Sequence, residues 1–238
     1  MQRRKQIFAL IVAAAGIALT ISLGNWQSRR GDAKQALQAE WNAAQRLEPI
    51  AVASAAALES VTSALPRRVR LRGVFDPAAT VYLDNRMRQS VAGFELVTPF
   101  AIGDTLPLVL VDRGWIARDM HDRARLPAAP VPAGEVVIEG LAVARMPRLL
   151  ELGAEQEQRI PGIWQNLEFE TFERVHGRRV ARFVVQQTSE MSDGLVRDRA
   201  LPATGVEQHR GYALQWYSLA ALIAGLTAWF GYRELTGR

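Results

Sequence analysis

Residues 208–216 read QHRGYALQW and lead directly into a long apolar segment. No charged residue lies between Arg210 and Arg233. At a rise of about 1.5 Å per residue, a helix of this length crosses a hydrocarbon core of about 30 Å. The sequence therefore predicts a transmembrane helix over 211–232, with His209 at the boundary between water and lipid.

A second apolar run lies near the N-terminus, behind a basic head at 1–6. It covers 7–23 without a charge, close to the shortest run that spans a bilayer. A cleavable export signal is the alternative, but no small-residue cleavage site precedes Gly24. We therefore expect an uncleaved transmembrane helix, followed by an extracytoplasmic domain over 24–210 and, after the second span, a cytoplasmic tail over 233–238.

The net charge of +5 and the pI of about 10.2 do not indicate nucleic-acid binding, because the excess charge is in the tails. The tails carry +4 of the net charge through Arg3, Arg4, Lys5, Arg233, Glu234 and Arg238. Loop charges do not decide the orientation. The first helix resembles a signal anchor with a short head, which places the tails in the cytoplasm and the domain outside. The head is too short for a transit peptide, which favours a bacterial protein.

Between the spans, the pattern favours short strands. Apolar side chains alternate with arginines from Arg68 to Val74, as in a half-buried strand. Further β-favouring runs, separated by Gly, Pro and Asp clusters, lie at 81–83, 94–100, 108–111, 136–141 and 183–185. This predicts an α+β membrane protein in which two transmembrane helices flank a mainly antiparallel sheet or small barrel with a few helices.

Three helices are predicted within this domain. Asp32 is a candidate N-cap for a helix that ends before Pro49, and Ser54 for a second one. Apolar residues at helical spacing predict a third helix over 164–175, with Gly177 as its C-terminal stop.

The chain has no cysteine, which excludes disulfides, thiol catalysis and thiolate metal sites. It also lacks the common nucleotide-binding, zinc-protease and serine-hydrolase motifs, so we expect no enzyme activity. Two of the three histidines have ordinary explanations. His121 lies in a charged loop, and His176 precedes Gly177 at a helix end, where the helix dipole favours histidine.

His209 differs, because Tyr212, Ala213 and Trp216 follow it at i+3, i+4 and i+7 on one helical stripe. A neutral imidazole is a good iron ligand, and a flat macrocycle could stack on Tyr212 or Trp216 while its propionates reach a cation such as Arg210. Alternatively, the aromatic residues form an interfacial belt and His209 is a polar residue at the membrane edge. Spacing alone favours this second interpretation.

Two short polar segments are typical of turns. Asp112-Arg113-Gly114-Trp115 follows the apolar run 108–111, and Asp84-Asn85-Arg86 follows 81–83. Turn chemistry explains both without a ligand.

The chain resembles the Surf1 (Shy1) family of cytochrome c oxidase assembly proteins over nearly its whole length. Short blocks carry this resemblance by their order and spacing between the two spans. They are GNWQ at 24–27 with RR at 29–30, RGVF at 72–75, GF at 93–94, TP at 98–99, VDRGW at 111–115, WQ at 164–165, and His-x-x-Tyr-Ala-x-x-Trp at 209–216. Glu207-Gln208 and Arg210 depart from the family, which often has Asn-Asn before the histidine and an apolar residue after it.

The resemblance implies an assembly factor that binds haem a transiently and assists its insertion into oxidase subunit I. The matching histidine of bacterial relatives is the proposed iron ligand, so His209 becomes the metal ligand, with Tyr212 and Trp216 as cofactor-binding residues. Arg113 and Trp115 are expected to shape the domain or contact a partner. The alternative is a haem-free membrane scaffold that stabilises an oxidase assembly intermediate.

The implied partners are subunit I or its assembly intermediate, with haem a synthase as a further candidate, and the lipid bilayer; nucleic acid is not among them. The implied location is the bacterial inner membrane, with the main domain in the periplasm.

Overall fold

The computed structural model describes residues 2–122, 125–149, 162–198 and 205–237. In chain order, the elements are α1 (Gln2–Arg46), β1 (Ile50–Val52), α2 (Ala55–Ser63), β2 (Arg67–Phe75), β3 (Val81–Arg88), β4 (Val91–Ala101), β5 (Leu108–Ala117), β6 (Val136–Val143), β7 (Ile163–Trp164), α3 (Phe169–His176), β8 (Val180–Gln187) and α4 (Val206–Thr236). The described residues belong to two compact units, one within Met1–Glu40 and Ala200–Arg238 and the other within Trp41–Arg199.

The first unit pairs α1 with α4 in antiparallel orientation. A Cβ at Gly16 would lie 3.7 Å from Ile223, and farther along α1 a Cβ at Gly31 would lie 3.5 Å from His209. Both helices are long and apolar enough to cross a membrane, over Gln6–Arg46 and Val206–Arg233. Antiparallel pairing places the two tails at the same end of this unit.

α1 is one continuous helix of 45 residues, so the prediction of a separate helix capped by Asp32 is wrong. Asp32 lies in its interior. The segment 32–46 is rich in Ala and Gln, which favour helix, and the first proline of the chain is Pro49. The helix therefore ends where the sequence predicts, but it has no break after the apolar run.

The second unit contains an eight-stranded sheet that closes on itself. The order is β1-β2-β6-β8-β5-β4-β3-β7, and a further antiparallel pairing of β2 with β4 joins Phe75 to Phe100. Five strands thus form a small barrel, which is one of the two predicted arrangements, and β1, β3 and β7 extend it. Most pairings are antiparallel, whereas β1 with β2, β3 with β7 and β5 with β8 are parallel.

β5 is buried on both faces, whereas β2 alternates buried with exposed side chains. In β5, Val109 and Val111 belong to one core cluster and Leu108 and Leu110 to another, since successive side chains on a strand point to opposite faces. The second cluster also contains Phe172 of α3.

The two other predicted helices are confirmed in part. Ser54 caps α2, because its Oγ accepts a hydrogen bond from the backbone N–H of Ala57 at 3.2 Å. Gly177 ends α3 in the left-handed conformation at φ +65°, as predicted. The start of that helix was wrong: Trp164 belongs to β7, which pairs with β3.

The two predicted turns lie inside strands. Arg113 and Gly114 belong to β5, at a register irregularity where the backbone N–H groups and carbonyls of Trp115 and Val196 pair with each other. Asn85 lies in β3 at φ +59°, where the register with β4 also shifts. In both strands, the residues typical of turns lie where the pairing with β4 shifts in register.

Candidate functional site

His209 lies in the first turn of α4, where its backbone N–H bonds to the carbonyl of Gly205 at 3.1 Å. Its ring faces α1. His209 Nδ1 and Gln27 Oε1 are 2.7 Å apart, a hydrogen-bond distance between residues separated by 182 positions in the chain. The ring is half-buried. The structure thus holds the predicted ligand between two helices of the same unit.

This contact bears on the tautomer of the imidazole. An amide carbonyl oxygen only accepts hydrogen bonds, so a neutral ring that donates to Gln27 Oε1 has its proton on Nδ1 and its lone pair on Nε2. Within the described part of the chain, Gln27 is the hydrogen-bond partner of the ring. In that form, Nε2 carries a lone pair that the contact with Gln27 does not use.

The other residues of the predicted stripe differ in exposure. Ala213 is buried at 5%, Trp216 is half-buried, and Tyr212 is 51% exposed. Tyr212 lies about 100° from Ala213 around the helix axis, which explains why it projects outward while Ala213 is covered. His209 and Trp216 are only about 20° apart around the helix axis, so they lie on one face of α4. Tyr212 lies at the exposed edge of that face.

Arg210 lies about 100° from His209 around α4 and is engaged elsewhere. Its Nη2 donates a hydrogen bond to Gln35 Oε1 at 2.8 Å, and its Nη1 lies 3.8 Å from a carboxylate oxygen of Glu207. Arg210, the residue expected to reach the propionates of a haem, is therefore bonded to α1 and to Glu207.

Tyr217 forms a further polar contact between α4 and α1. Its hydroxyl donates a hydrogen bond to Asn25 Oδ1 at 2.8 Å and lies 3.4 Å from Ser28 Oγ. Gly24 lies beneath its ring. The two helices are thus held by small residues at the contact and polar pairs beside it, as in membrane helix pairs.

The α1 side of this site is not among the predicted site residues. Gly24, Gln27 and Gly31 follow each other at i, i+3 and i+7, which places them on one helix face. The signal is visible in the sequence. A first helix that ends at residue 23, as the apolar run predicts, contains none of these three residues, whereas α1 continues to Arg46 and includes them.

In the described residues, no cluster of three or more His, Asp and Glu side chains could hold a metal ion. His121 is almost fully exposed, at 99% of its side chain, and His176 stacks on Phe172 with ring centroids 4.3 Å apart. Burial lowers the pKa of His176. Both positions agree with the ordinary explanations given for these histidines.

Arg113 is a buried structural residue of the second unit. Its side chain has 0% exposure and its Nη2 lies 2.8 Å from Asp193 Oδ2, which also accepts a hydrogen bond from Arg197 at 2.5 Å. Burial lowers the pKa of Arg113, while the nearby Asp193 opposes this shift. Trp115 donates its indole N–H to the carbonyl of Arg86 at 2.8 Å. Both residues therefore shape the domain.

Comparison with known proteins gives the family. The sequence model of the SURF1 family matches residues 14–221, which is most of the chain. Surfeit locus protein 1 of Mus musculus is 26% identical over 243 residues, covering 94% of this chain and 74% of the mouse protein. Surfeit locus protein 1 of Arabidopsis thaliana is 30% identical over 119 residues, covering 45% of this chain and 33% of the plant protein.

The match includes the second part of the first apolar run, the barrel strands and the histidine stripe at the start of α4. It therefore contains residues of both units. The chain belongs to the SURF1 family.

Proposed function

We propose that the chain is an assembly factor for cytochrome c oxidase, which binds haem a through His209 and assists its insertion into subunit I. The observation that carries this proposal is the contact of His209 Nδ1 with Gln27, which leaves Nε2 as the available ligand atom. Family membership supports the link to oxidase assembly.

The residues of α4 fit a haem ligand set. A neutral imidazole binds haem iron through one ring nitrogen, and Tyr212 and Trp216 offer aromatic surface on the same side of the helix. Haem a is the cargo in this proposal, and its iron is the atom that the imidazole would bind. His209 would bind the iron, Gln27 would hold the His209 ring, and Tyr212 and Trp216 would cover the apolar surface of the haem.

A single protein ligand suits a carrier. Transfer to subunit I requires that the cargo leave, so one imidazole with an open or weak second axial position gives a modest affinity. We propose that the role is non-enzymatic, and that subunit I or its assembly intermediate is the receiving partner, with haem a synthase as the candidate donor.

We further propose a location in a bacterial inner membrane, with the barrel unit in the periplasm. Two apolar helices support membrane anchoring. The resemblance of the first helix to a signal anchor supports cytoplasmic tails.

The test uses a bacterium that produces this chain, with the gene deleted and replaced by variants. The haem a content of purified subunit I is measured beside the amount of subunit I. His209→Ala is expected to lower haem a per subunit I while the variant itself accumulates normally. His121→Ala, which removes a histidine from an exposed loop, is the matched control and is expected to leave the haem a content unchanged.

Full haem a content with His209→Ala would contradict the ligand role. If His209→Ala restores oxidase fully whereas deletion of the whole chain does not, the haem-free scaffold is the better account.

A further inference from the structure

The contact between Gln27 and His209 is the hydrogen bond between α1 and α4 that directly involves the proposed ligand. The two glycines on the same face of α1, Gly24 and Gly31, precede Gln27 by three residues and follow it by four. With no Cβ at either position, α4 can approach the α1 backbone closely. The amide of Gln27 is thereby brought within 2.7 Å of the imidazole.

We propose that Gln27 is the positioning residue for His209, and that its carbonyl oxygen holds the ring with the proton on Nδ1 and Nε2 directed to the ligand position. This inference rests on the proposed function of His209 as a haem ligand. It makes the site bipartite, because the ligand comes from α4 and the group that orients it from α1.

The physical basis is the second contact of a metal-binding histidine. Such a histidine usually donates its other ring N–H to an oxygen, which fixes its tautomer and its orientation. Without that acceptor, the ring can rotate and carry its proton on either nitrogen. Gln27 supplies the acceptor here.

The chemical type of the acceptor fits a carrier. A carboxylate in this place would raise the basicity of the ligand further, whereas a neutral amide oxygen orients the ring with a weaker effect. The choice of glutamine thus agrees with cargo that must be released.

Gly31 also lies next to His209. A Cβ at position 31 would lie 3.5 Å from His209 Cβ, an ordinary van der Waals contact. The α1 backbone at Gly31 and the side chain of Gln27 are therefore both neighbours of His209.

The first experiment measures the tautomer of His209 in the haem-free full-length chain, by nitrogen NMR of protein labelled with ¹⁵N-histidine. The signals of His209 are identified by their loss in His209→Ala. The wild type is expected in the Nδ1-protonated form, and Gln27→Leu is expected to shift toward the Nε2-protonated form. Gln27→Glu, which keeps an acceptor oxygen, is expected to retain the wild-type form.

Asn25→Leu is the matched control. It also removes an amide of α1 that bonds to α4, but its partner is Tyr217. It is expected to leave the His209 tautomer unchanged, so a general loosening of the helix pair would be recognised by an equal effect of both leucine variants. A wild-type ring protonated on Nε2, a tautomer unchanged in Gln27→Leu, or an equal shift in Asn25→Leu would overturn the proposal.

The second experiment measures the affinity of the same variants for haem a in detergent. Gln27→Leu is expected to bind about 10–100-fold more weakly than the wild type, Asn25→Leu as the wild type, and Gln27→Glu at least as tightly as the wild type. Wild-type affinity in Gln27→Leu would overturn the positioning role. If the wild type itself binds no haem, the proposed function fails, and the tautomer measurement alone decides whether Gln27 orients the ring.

Discussion

Gly24 of α1 lies against the aromatic ring of Tyr217 of α4, so closely that a Cβ at position 24 would stand 2.6 Å from Cε1 of Tyr217. The ring is held in place because its hydroxyl bonds to Asn25, the next residue of α1. Glycine at this position therefore determines how closely the two helices approach, and with it the distance from Gln27 to His209.

Gly24→Ala is expected to weaken the helix pair, by about 1–3 kcal/mol, because the added methyl group overlaps the ring. The measurement is unfolding in mixed detergent micelles, followed by circular dichroism. Gly225→Ala is the matched control, since nothing lies within 4 Å of a Cβ at that position. Tyr217→Ala should relieve the effect, so that the double variant loses less than the two single variants added together. Equal stability of Gly24→Ala and Gly225→Ala would contradict the close contact.

A disulfide between positions 31 and 209 is expected to form readily in the Gly31→Cys, His209→Cys variant. A Cβ at position 31 would lie 3.5 Å from Cβ of residue 209, at the short end of the range for disulfides. The chain has no other cysteine, so the bond is detected unambiguously by blocking free thiols with a polyethylene glycol maleimide. Gly31→Cys with Gln208→Cys is the control, about 100° away around α4. Equal oxidation of both pairs would contradict the orientation of α4.

Asp193 is expected to matter more for the stability of the barrel unit than Arg113, although Arg113 is the larger buried side chain. Asp193→Asn leaves two buried guanidinium groups without their carboxylate and should cost about 3–5 kcal/mol. Arg113→Met leaves the ion pair of Asp193 with Arg197 intact and should cost less. The comparison uses the free energy of unfolding in urea, with Asp198→Asn, whose side chain is 81% exposed, as a control near zero. A larger loss in Arg113→Met would contradict this order.

Acid is expected to destabilise the barrel unit in part through Glu139. The hydrogen bond from Arg70 and the charges of Arg70 and Arg68 hold the pKa of Glu139 below its ordinary value of 4.5. A carboxyl whose pKa is lowered by folding stabilises the fold above its unfolded pKa, and this contribution is lost as the pH falls through the folded pKa.

Glu139→Gln should therefore be less stable than the wild type at neutral pH, and the difference should shrink as the pH falls below about 4.5. Glu135→Gln is the control, because its ion pair with Arg72 is exposed on both sides and contributes little. Thermal unfolding followed by near-ultraviolet circular dichroism gives the comparison. A difference between Glu139→Gln and the wild type that is constant with pH would contradict the role of this carboxylate.

The barrel was predictable because its strands carry a local pattern. Alternation at Arg68 to Val74 and the apolar runs that follow reveal half-buried and fully buried strands, and all six predicted strands exist in the structure. The pattern does not indicate which strands pair with each other. The closure of β2 on β4, and the parallel pairing of β5 with β8, join residues far apart in the chain.

The candidate site was predictable only on the α4 side. The spacing of His209, Tyr212 and Trp216 is local, whereas Gln27 is 182 residues away and becomes its neighbour through helix pairing. The apolar run ends at residue 23, and the predicted first helix ends with it, but α1 continues to Arg46. Hydropathy indicates which residues can lie in the membrane and does not indicate where the helix ends. The continuous α1 brings Gln27 onto the same face as Gly24 and Gly31.

Arg113 illustrates a different limit. Its neighbours Asp112 and Gly114 favour turns, and an arginine is rarely fully buried, so local chemistry predicts an exposed loop. In the fold, Asp193 provides the opposite charge from a segment 80 residues later. A long-range ion pair therefore overrides the local preference.

The most direct test of the central claim is the visible absorption spectrum of the full-length chain, purified from cells that make haem a, for the wild type, His209→Ala and His121→Ala. The wild type and His121→Ala are expected to carry haem a with the same Soret band. His209→Ala is expected to lose the haem while its circular dichroism stays that of a folded chain. Haem a bound equally by wild type and His209→Ala, with the same spectrum, would contradict the assignment of His209 as the iron ligand.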